Sequence, residues 1–248
     1  MTRTEFIKTS LLAGMGLPLL SGFNTPFMTH EVSLARLMGK NENHLTGSSF
    51  KLEKQTMQAF LRMQRAAAVD GVTIEVASAF RSFDRQAQIW TSKYNNYTQA
   101  GMTPLAAMKK IIEYSTMPGT SRHHWGTDCD LIDGDASPRP SSVLEPRHFH
   151  GQGPFCKFKE WMDANSESFG FFEVYTDNAN RKGFKYEPWH FSYKPVSQKY
   201  METYLKFDFN RILEQISVPG VEHMDAQFID DYWQNNVSDI NPDLLPNA

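Results

Sequence analysis

Hydrophobic positions change their period several times along the chain, and each change predicts a different element. From Ser49, apolar residues recur at helical spacing as far as Gly71, a residue that suits the end of a helix. The run VTIEVASAF at 72–80 then alternates apolar with small or polar residues and is rich in β-branched types, which favours a strand. Two further helices are predicted at 82–96 and 103–114.

The second half of the chain contains shorter elements. Residues 115–126 have the composition of turns and lead into a predicted strand at 127–132. A loop punctuated by prolines follows, then a predicted helix near 155–168. Two more strands are predicted at 171–175 and 188–193. Together these elements predict a mixed α+β core.

The two ends of the chain differ from this core. Arg3 and Lys8 precede an apolar run that is shorter than the ~20 residues a membrane span needs. A charged start followed by a short apolar run is typical of an export signal. The start also resembles the twin-arginine export motif, with Thr4 in place of the second arginine. A buried N-terminal helix is the alternative, disfavoured by the glycines and the proline of this run. The expected divisions are an export signal at 1–23, a linker at 24–48, the main domain at 49–200 and a helical C-terminal extension, a surface appendage, at 201–248.

Composition narrows the function classes. The 248 residues are 40% hydrophobic and 21% charged, which is ordinary globular usage and excludes disordered and fibrous classes. The formal charge of −3 argues against nucleic-acid binding through bulk electrostatics. Cys129 and Cys156 are too few for a disulfide framework and lack the spacing of a zinc finger, and whether they pair stays open.

The densest group of metal-binding side chains is the segment SRHHWGTDCD. Strand alternation places Asp128 and Asp130 on one face and Cys129 on the other, so the thiol is expected to be buried and inert. An acidic pair on one face requires a cation, a positive side chain or a shared proton. A turn at Gly126 can fold His123 back toward Asp130, giving a nitrogen and oxygen pair suited to zinc, although loop histidines are commonly only solvated.

A second segment, YEPWHFSY, carries His190 in an aromatic strand with Glu187 three residues earlier. His190 as third ligand and Glu187 as base would leave the fourth zinc position open for water, as catalytic zinc sites do. The alternative is a core histidine packed by aromatic rings. A rival ligand pair is His148 and His150 in RHFHG.

A third segment, ASAFRSFDRQ, places Arg81 at the junction of a strand and a helix, where its guanidinium can bind a carboxylate or form a surface ion pair. Together the three segments resemble the VanY-like D-alanyl-D-alanine carboxypeptidases of the wider hedgehog/DD-peptidase zinc fold. The resemblance covers about residues 50–195, and Asp128 stands where the family usually has alanine. The matching residues are Ser78, Phe80, Arg81, Ser82 and Gln86; Ser121, His123, Gly126 and Asp130; and Glu187, Trp189 and His190.

The resemblance implies a single domain with a small antiparallel sheet flanked by helices. It also implies one Zn²⁺ per chain, Glu187 as catalytic base, and Arg81 bound to the substrate. Asp128 either orients a ligand imidazole or alters the charge of the pocket. The implied ligands are His123, Asp130 and His190, and the implied cleft residues are Ser121 and Gln86.

The function implied by the resemblance is the removal of C-terminal D-amino acids from the stem peptides of peptidoglycan, in the periplasm or cell envelope. An L,D-carboxypeptidase or a stem-peptide endopeptidase on the same zinc site is the alternative. A non-catalytic zinc module that binds peptidoglycan belongs to another class. Glu187 argues against that module, because a protein that only binds has no need of a base.

Overall fold

A computed structural model describes residues 32–246, so the predicted export signal lies outside the described residues. Within 32–246, no helix combines the length and hydropathy that a membrane crossing requires. The helices are α1 Leu34–Leu37, α2 Lys54–Val69, α3 Phe83–Gln99, α4 Pro104–Ile111, α5 Cys156–Asn165, α6 Lys194–Tyr204, α7 Phe209–Leu213 and α8 Ala226–Asp231. The strands are β1 Leu45–Thr46, β2 Leu52–Glu53, β3 Ile74–Ser78, β4 Asp128–Asp133, β5 Phe171–Glu173 and β6 His190–Tyr193.

The predicted α+β fold with a small antiparallel sheet is confirmed. The four-stranded sheet has the order β3-β4-β6-β5, with every neighbouring pair antiparallel. Its register places Ser78 of β3 opposite Asp130 of β4, and Asp130 opposite His190 of β6. One residue from each of the three predicted motif segments therefore lies in a single row across the sheet.

Two apolar clusters support the sheet. The first contains Cys129 and Leu131 of β4 together with Phe60 of α2 and Phe158 of α5, all fully buried. The second is built on α3, α4 and α6 and includes Trp90, which is fully buried. Because alternate residues of a strand face opposite ways, Asp128 and Asp130 lie on the other face of β4 from the first cluster.

The segment predicted as a linker is folded from residue 32 onward. α1 begins after Ser33, whose side chain accepts a hydrogen bond from the Arg36 amide and caps the helix. Leu37 and Met38 are fully buried in the second cluster, and the Trp125 indole donates to the Leu37 carbonyl over 3.1 Å. The compact domain therefore starts before residue 49, because these two apolar side chains complete its core.

The C-terminal extension is helical, as expected, but it is not a surface appendage. Phe228, Tyr232 and Leu244 are buried in the second cluster. The Trp90 indole of α3 donates to the Pro219 carbonyl over 2.9 Å. The extension therefore completes the apolar core that α3, α4 and α6 begin.

Candidate active site and metal centre

A tight turn places His123, the first candidate ligand, beside the sheet. Residues Arg122–Trp125 form one 3₁₀ turn, and Gly126 follows it in the left-handed region with φ 71°. A Cβ on Gly126 would lie 2.4 Å from the Leu45 side chain and 3.0 Å from the Glu53 amide nitrogen. The glycine of the predicted motif is thus required both by its backbone conformation and by the close approach of β1 and β2.

The three predicted ligands lie together beneath a cleft. The His123 Nε2 atom is 3.4 Å from Asp130 Oδ1, and the His190 Nδ1 atom is 3.7 Å from the same oxygen. The candidate ligand atoms of all three residues lie within 4.8 Å of one another, and all three side chains are buried. Two nitrogens and one carboxylate oxygen at this spacing can hold a metal ion.

The unmatched polar atoms at this cluster fit a metal ion. Asp130 Oδ1 is buried and has no hydrogen-bond partner among residues 32–246. His123 Nδ1 lies 2.8 Å from the Ala79 carbonyl, which can only accept a hydrogen bond, so Nδ1 carries the ring proton. Nε2 therefore keeps a lone pair that can bind a metal ion. Two imidazole nitrogens and one carboxylate form a donor set that zinc takes in catalytic sites, with a fourth position open.

Glu187 reaches the cluster through a turn that precedes β6. Its amide donates to the Tyr175 carbonyl over 3.0 Å, and the His190 amide donates back to the Glu187 carbonyl over 3.1 Å. Glu187 Oε2 then lies 3.0 Å from His190 Nδ1. Burial raises the pKa of the Glu187 carboxyl, a direction that suits a group which accepts and returns a proton.

His190 sits between acidic groups on both sides of its ring. Nδ1 faces Glu187 and Asp130, and Nε2 lies 3.2 Å from Asp128 Oδ1. Burial lowers the pKa of His190, but the hydrogen bonds to Asp128 and Glu187 and the charge of Asp130 outweigh it and raise that pKa to about 9. Without a metal ion, the ring therefore carries both protons at neutral pH.

Asp128 is fully buried and is not among the residues that line the cleft. Of the two roles left open for it, its 3.2 Å contact with His190 supports the orientation of an imidazole. Its other partners are Arg122, Thr127 and Ser192. The sequence interpretation missed Arg122 and Ser192, although an arginine in the turn before an acidic strand was a signal for an ion pair.

Arg81 lines the cleft with a side chain that is 20% exposed. Its Nη1 donates to Gln86 Oε1 over 2.9 Å, its Nη2 donates to Ser78 Oγ over 3.0 Å, and Nη2 lies 3.9 Å from Asp130 Oδ2. The Arg81 amide also donates to the His123 carbonyl over 3.1 Å. The junction of β3 and α3 is thereby joined directly to the turn that carries the first ligand.

The two predicted cleft residues have different locations. Ser121 lines the cleft, directly before the turn. Gln86 does not: it is fully buried, and its Nε2 donates to the Thr116 carbonyl over 2.8 Å while its Oε1 accepts from Arg81. The expectation that Gln86 contacts substrate is therefore replaced by a supporting position behind Arg81, because Gln86 lies on the buried face of α3 together with Trp90 and Tyr94.

The cleft above the cluster has a volume of about 530 Å³. Its walls include three residues that the sequence interpretation missed, namely Lys93, Thr116 and Tyr175. Burial and the charge of Arg81 lower the pKa of Lys93, which lies two helical turns after Gln86 on α3. Tyr175 packs edge-on against the His190 ring at 5.1 Å. Gln86 contacts Arg81, and Lys93 lies two turns later on the same face of α3. This helical spacing was the signal in the sequence that could have predicted Lys93 at the cleft.

The rival ligands and the cysteines lie outside this cluster. His150 is exposed and lies 2.9 Å from the Tyr186 hydroxyl, and neither it nor His148 belongs to the group that can hold a metal. Cys129 and Cys156 are both free thiols, so they form no disulfide with each other. Burial raises the pKa of Cys129 well above its usual value, as expected for an inert core thiol.

The family model for VanY, described as D-alanyl-D-alanine carboxypeptidase, matches residues 49–196. The chain belongs to the VanY family. The matched region contains all of the residues of the candidate site, so the VanY resemblance seen in the motifs is confirmed. The C-terminal extension lies beyond the VanY match.

Two curated relatives and one solved structure illustrate the similarity. An uncharacterised protein of Haemophilus influenzae is 38% identical over 79 residues, which are 32% of this chain and 60% of that protein. A D-alanyl-D-alanine carboxypeptidase of Enterococcus faecalis is 33% identical over 130 residues, which are 52% of this chain and 42% of that protein. The chain thus spans less than two thirds of the length of both. The structure of VanYB in complex with D-Alanine-D-Alanine superposes with a TM-score of 0.50 at 25% identity, covering 69% of this chain and 88% of that one.

Proposed function

We propose that this VanY-family chain is a zinc-dependent D-alanyl-D-alanine carboxypeptidase that removes the terminal D-amino acid from peptidoglycan stem peptides. The observation that carries the proposal is the buried group of His123, Asp130 and His190 at the floor of a cleft, with Glu187 beside it. The E. faecalis relative bears this name, and VanYB was solved with D-Alanine-D-Alanine.

One zinc ion per chain would be held by His123, Asp130 and His190. Zinc at such a site supplies Lewis acidity and makes hydroxide available from water near neutral pH. His123 offers Nε2 because its Nδ1 proton is donated to the Ala79 carbonyl. One negative ligand and two neutral ones leave the centre with net positive charge.

Glu187 would act as the proton carrier. Its carboxylate would take a proton at Oε2 from the attacking water and return it to the leaving amine. Burial raises the pKa of Glu187, so its affinity for that proton is greater than an exposed glutamate would have. Tyr175 and Trp189 line the same cleft and exclude bulk water around the carboxyl.

Arg81 would bind the terminal carboxylate of the substrate. Gln86 and Ser78 hold its guanidinium in one orientation, and part of it stays exposed in the cleft. Lys93 adds a second positive charge to the same wall, and Ser121 adds a hydroxyl. Two cations favour a peptide that ends in a free carboxylate, and this disfavours cleavage within a longer chain.

Export to the periplasm or cell envelope is part of the proposal. It rests on the charged start and short apolar run of residues 1–23. Expression of the full chain followed by cell fractionation and N-terminal sequencing tests it. A protein that keeps its first residues and stays in the cytoplasm would remove this part of the proposal.

The enzymatic test is mass spectrometry of defined stem peptides incubated with the purified full chain. The peptides are a pentapeptide ending in D-Ala-D-Ala, the tetrapeptide that ends in one D-Ala, and the pentapeptide with an amidated C-terminus. We expect loss of one D-alanine from the free pentapeptide alone, abolished by a zinc chelator and restored by added zinc.

The other outcomes separate the alternatives. Cleavage of the tetrapeptide alone would assign L,D-specificity to the same site. Cleavage of the amidated pentapeptide within the stem would assign an endopeptidase and remove the proposed role of Arg81. No cleavage of any peptide by a chain that binds zinc would favour a non-catalytic module that binds peptidoglycan.

A further inference from the structure

Asp128 has a hydrogen-bonding environment more complete than that of any candidate ligand. Its Oδ1 accepts from Arg122 Nε over 2.8 Å and lies 3.2 Å from His190 Nε2. Its Oδ2 accepts from Thr127 Oγ1 over 2.6 Å and from Ser192 Oγ over 2.9 Å. Four groups therefore fix both oxygens of a carboxylate that is fully buried.

The position of Asp128 determines which nitrogen of His190 can bind a metal. A ligand nitrogen must carry no proton, so the remaining ring proton of neutral His190 has to lie on the other nitrogen. Nδ1 points toward Asp130 and Glu187, whereas Nε2 points toward Asp128. A carboxylate that can only accept holds the proton on Nε2 and leaves Nδ1 for the metal.

Arg122 neutralises the charge of the buried Asp128 carboxylate. A buried carboxylate without a partner is costly, and Arg122 supplies the opposite charge at 5% exposure. Its Nη2 donates to Ser192 Oγ over 2.8 Å, and its guanidinium lies over the Trp125 ring at 4.6 Å. Arg122 therefore holds the carboxylate and the hydroxyl of Ser192 in one rigid unit.

We infer that Asp128 is a positioning residue for His190, and that the Asp128–Arg122 pair raises the affinity of this chain for its metal ion. The inference rests on the metal site of the proposed function, but not on its substrate. Neither Asp128 nor Arg122 is among the three candidate ligands, so the pair is an addition to the ligand set. Carboxylates that receive the second proton of a ligand histidine fix its ring and strengthen its bond to the metal.

The alternative is that the pair only stabilises the core. To separate the two, both charges are removed together in Asp128→Ala/Arg122→Met, which leaves no unpaired buried charge. Asp128→Asn keeps the acceptor shape and removes the charge. The matched control is Lys159→Met, because Lys159 is a similarly buried cation, 7% exposed, that pairs with Glu173 at 3.1 Å on the adjoining strand β5.

The measurement is the dissociation constant for Zn²⁺ alone, obtained by competition with a chelating dye, on full-length chains shown to be folded by circular dichroism. We expect the double variant to bind zinc about 10- to 100-fold more weakly than the wild type, with Asp128→Asn between them and Lys159→Met unchanged. In ¹⁵N-histidine spectra of the zinc-loaded wild type, the Nε2 proton of His190 is expected far downfield, and it moves upfield in the double variant.

Two results would overturn the inference. One is wild-type zinc affinity in the double variant, and the other is an equal loss of affinity in Lys159→Met. Peptide cleavage does not enter this test, so it is independent of the substrate assignment. A wild type that binds no zinc would instead overturn the proposed function and the inference with it.

Discussion

Asp130 and His190 lie directly opposite each other on β4 and β6, and His190 Nδ1 is 3.7 Å from Asp130 Oδ1. They are 60 positions apart in the sequence, and a single antiparallel pairing brings them together. Opposite residues of such a pair have Cβ atoms about 4.5–5.5 Å apart on one face of the sheet. Both therefore project onto the face where His123 arrives from its turn.

Substitution Glu187→Gln is expected to reduce cleavage of the pentapeptide by about 10²- to 10⁴-fold, because the amide cannot carry the proton that a general base transfers. Zinc affinity should stay near the wild-type value, since Glu187 is not one of the three ligands. Steady-state kinetics and a zinc titration measure the two effects. Glu113→Gln, a carboxylate outside the cleft that pairs with Lys185, is the control. Full activity in Glu187→Gln would contradict the role of the base.

Substitution Arg81→Lys is expected to raise KM for the free pentapeptide and reduce kcat/KM by about 10- to 100-fold. One charge-assisted hydrogen bond is worth about 1.5–3 kcal/mol, and lysine lacks the planar fork that Gln86 and Ser78 orient. Steady-state kinetics on the free pentapeptide measure the change. Arg139→Lys, which alters an exposed two-contact pair with Glu75, is the control. Unchanged kinetics in Arg81→Lys would remove Arg81 from substrate binding.

Zinc binding at pH 6 is expected to release about one proton from His190. The pKa of this residue is raised to about 9 in the metal-free site, so the ring carries both protons at pH 6 and must lose the one on Nδ1. Zinc-held water, with a pKa of ~7, contributes little at that pH. Calorimetric titration with Zn²⁺ in buffers of different ionisation enthalpy measures the release. A binding enthalpy that is the same in every buffer would contradict the prediction.

Acid is expected to destabilise the metal-free fold through His124. Burial and the charge of Arg81 lower the pKa of this fully buried ring from 6.5 to about 3, and the hydrogen bond from Nδ1 to the Arg81 carbonyl opposes them only in part. Its Nε2 accepts from the Gly119 amide over 2.9 Å, so a second proton on the ring would break that bond. The folded state thus binds fewer protons than the unfolded state between those values. The contribution is complete above about pH 6.5 and falls by about 1.4 kcal/mol for each pH unit below it.

Urea unfolding of the chelated protein at pH 7, 6, 5 and 4 measures this effect. In His124→Gln, the free energy of unfolding should fall less steeply with acid than in the wild type. The exposed His223→Gln is the control, with the wild-type slope. Equal slopes in all three proteins would show that His124 does not govern the acid response.

Substitution Tyr232→Phe is expected to lower the free energy of unfolding by about 1–3 kcal/mol. The buried hydroxyl accepts from the Met117 amide over 3.0 Å and shares a hydrogen bond with Thr120 Oγ1 at 2.6 Å, so its loss leaves a buried amide unpaired. Because these residues lie just before Ser121, KM for the pentapeptide should also rise. Tyr97→Phe, in the partly buried rim of the same cluster, is the control. A stability equal to the wild type would show that the extension does not anchor this segment.

Strongly patterned segments of the sequence predicted local structure well. The helical period predicted from Ser49 is confirmed for α2, Lys54–Val69, whose apolar face packs Phe60 and Met63 into the core, but the helix starts later than predicted because Leu52–Glu53 form β2. The strand predicted at 72–80 is β3, Ile74–Ser78. Because one face of each such element is buried, its apolar residues recur at the period of the helix or strand, and the sequence alone shows this period. The prediction was less accurate at the N-terminal end of the domain, where α1 was predicted as linker. This helix is only four residues long, and its burial depends on partners far away in the sequence.

The sequence alone shows the side chains of His123, Asp130, Glu187 and His190 and their spacing, because ligand and base chemistry requires particular side chains at particular intervals. How these distant segments meet depends on the tertiary structure. The pairing of β4 with β6 put Asp128 beside His190, and core packing put Gln86 behind Arg81 and drew the C-terminal extension into the domain. Contacts between residues far apart in the chain depend on register and packing of the whole fold, which local pattern does not encode.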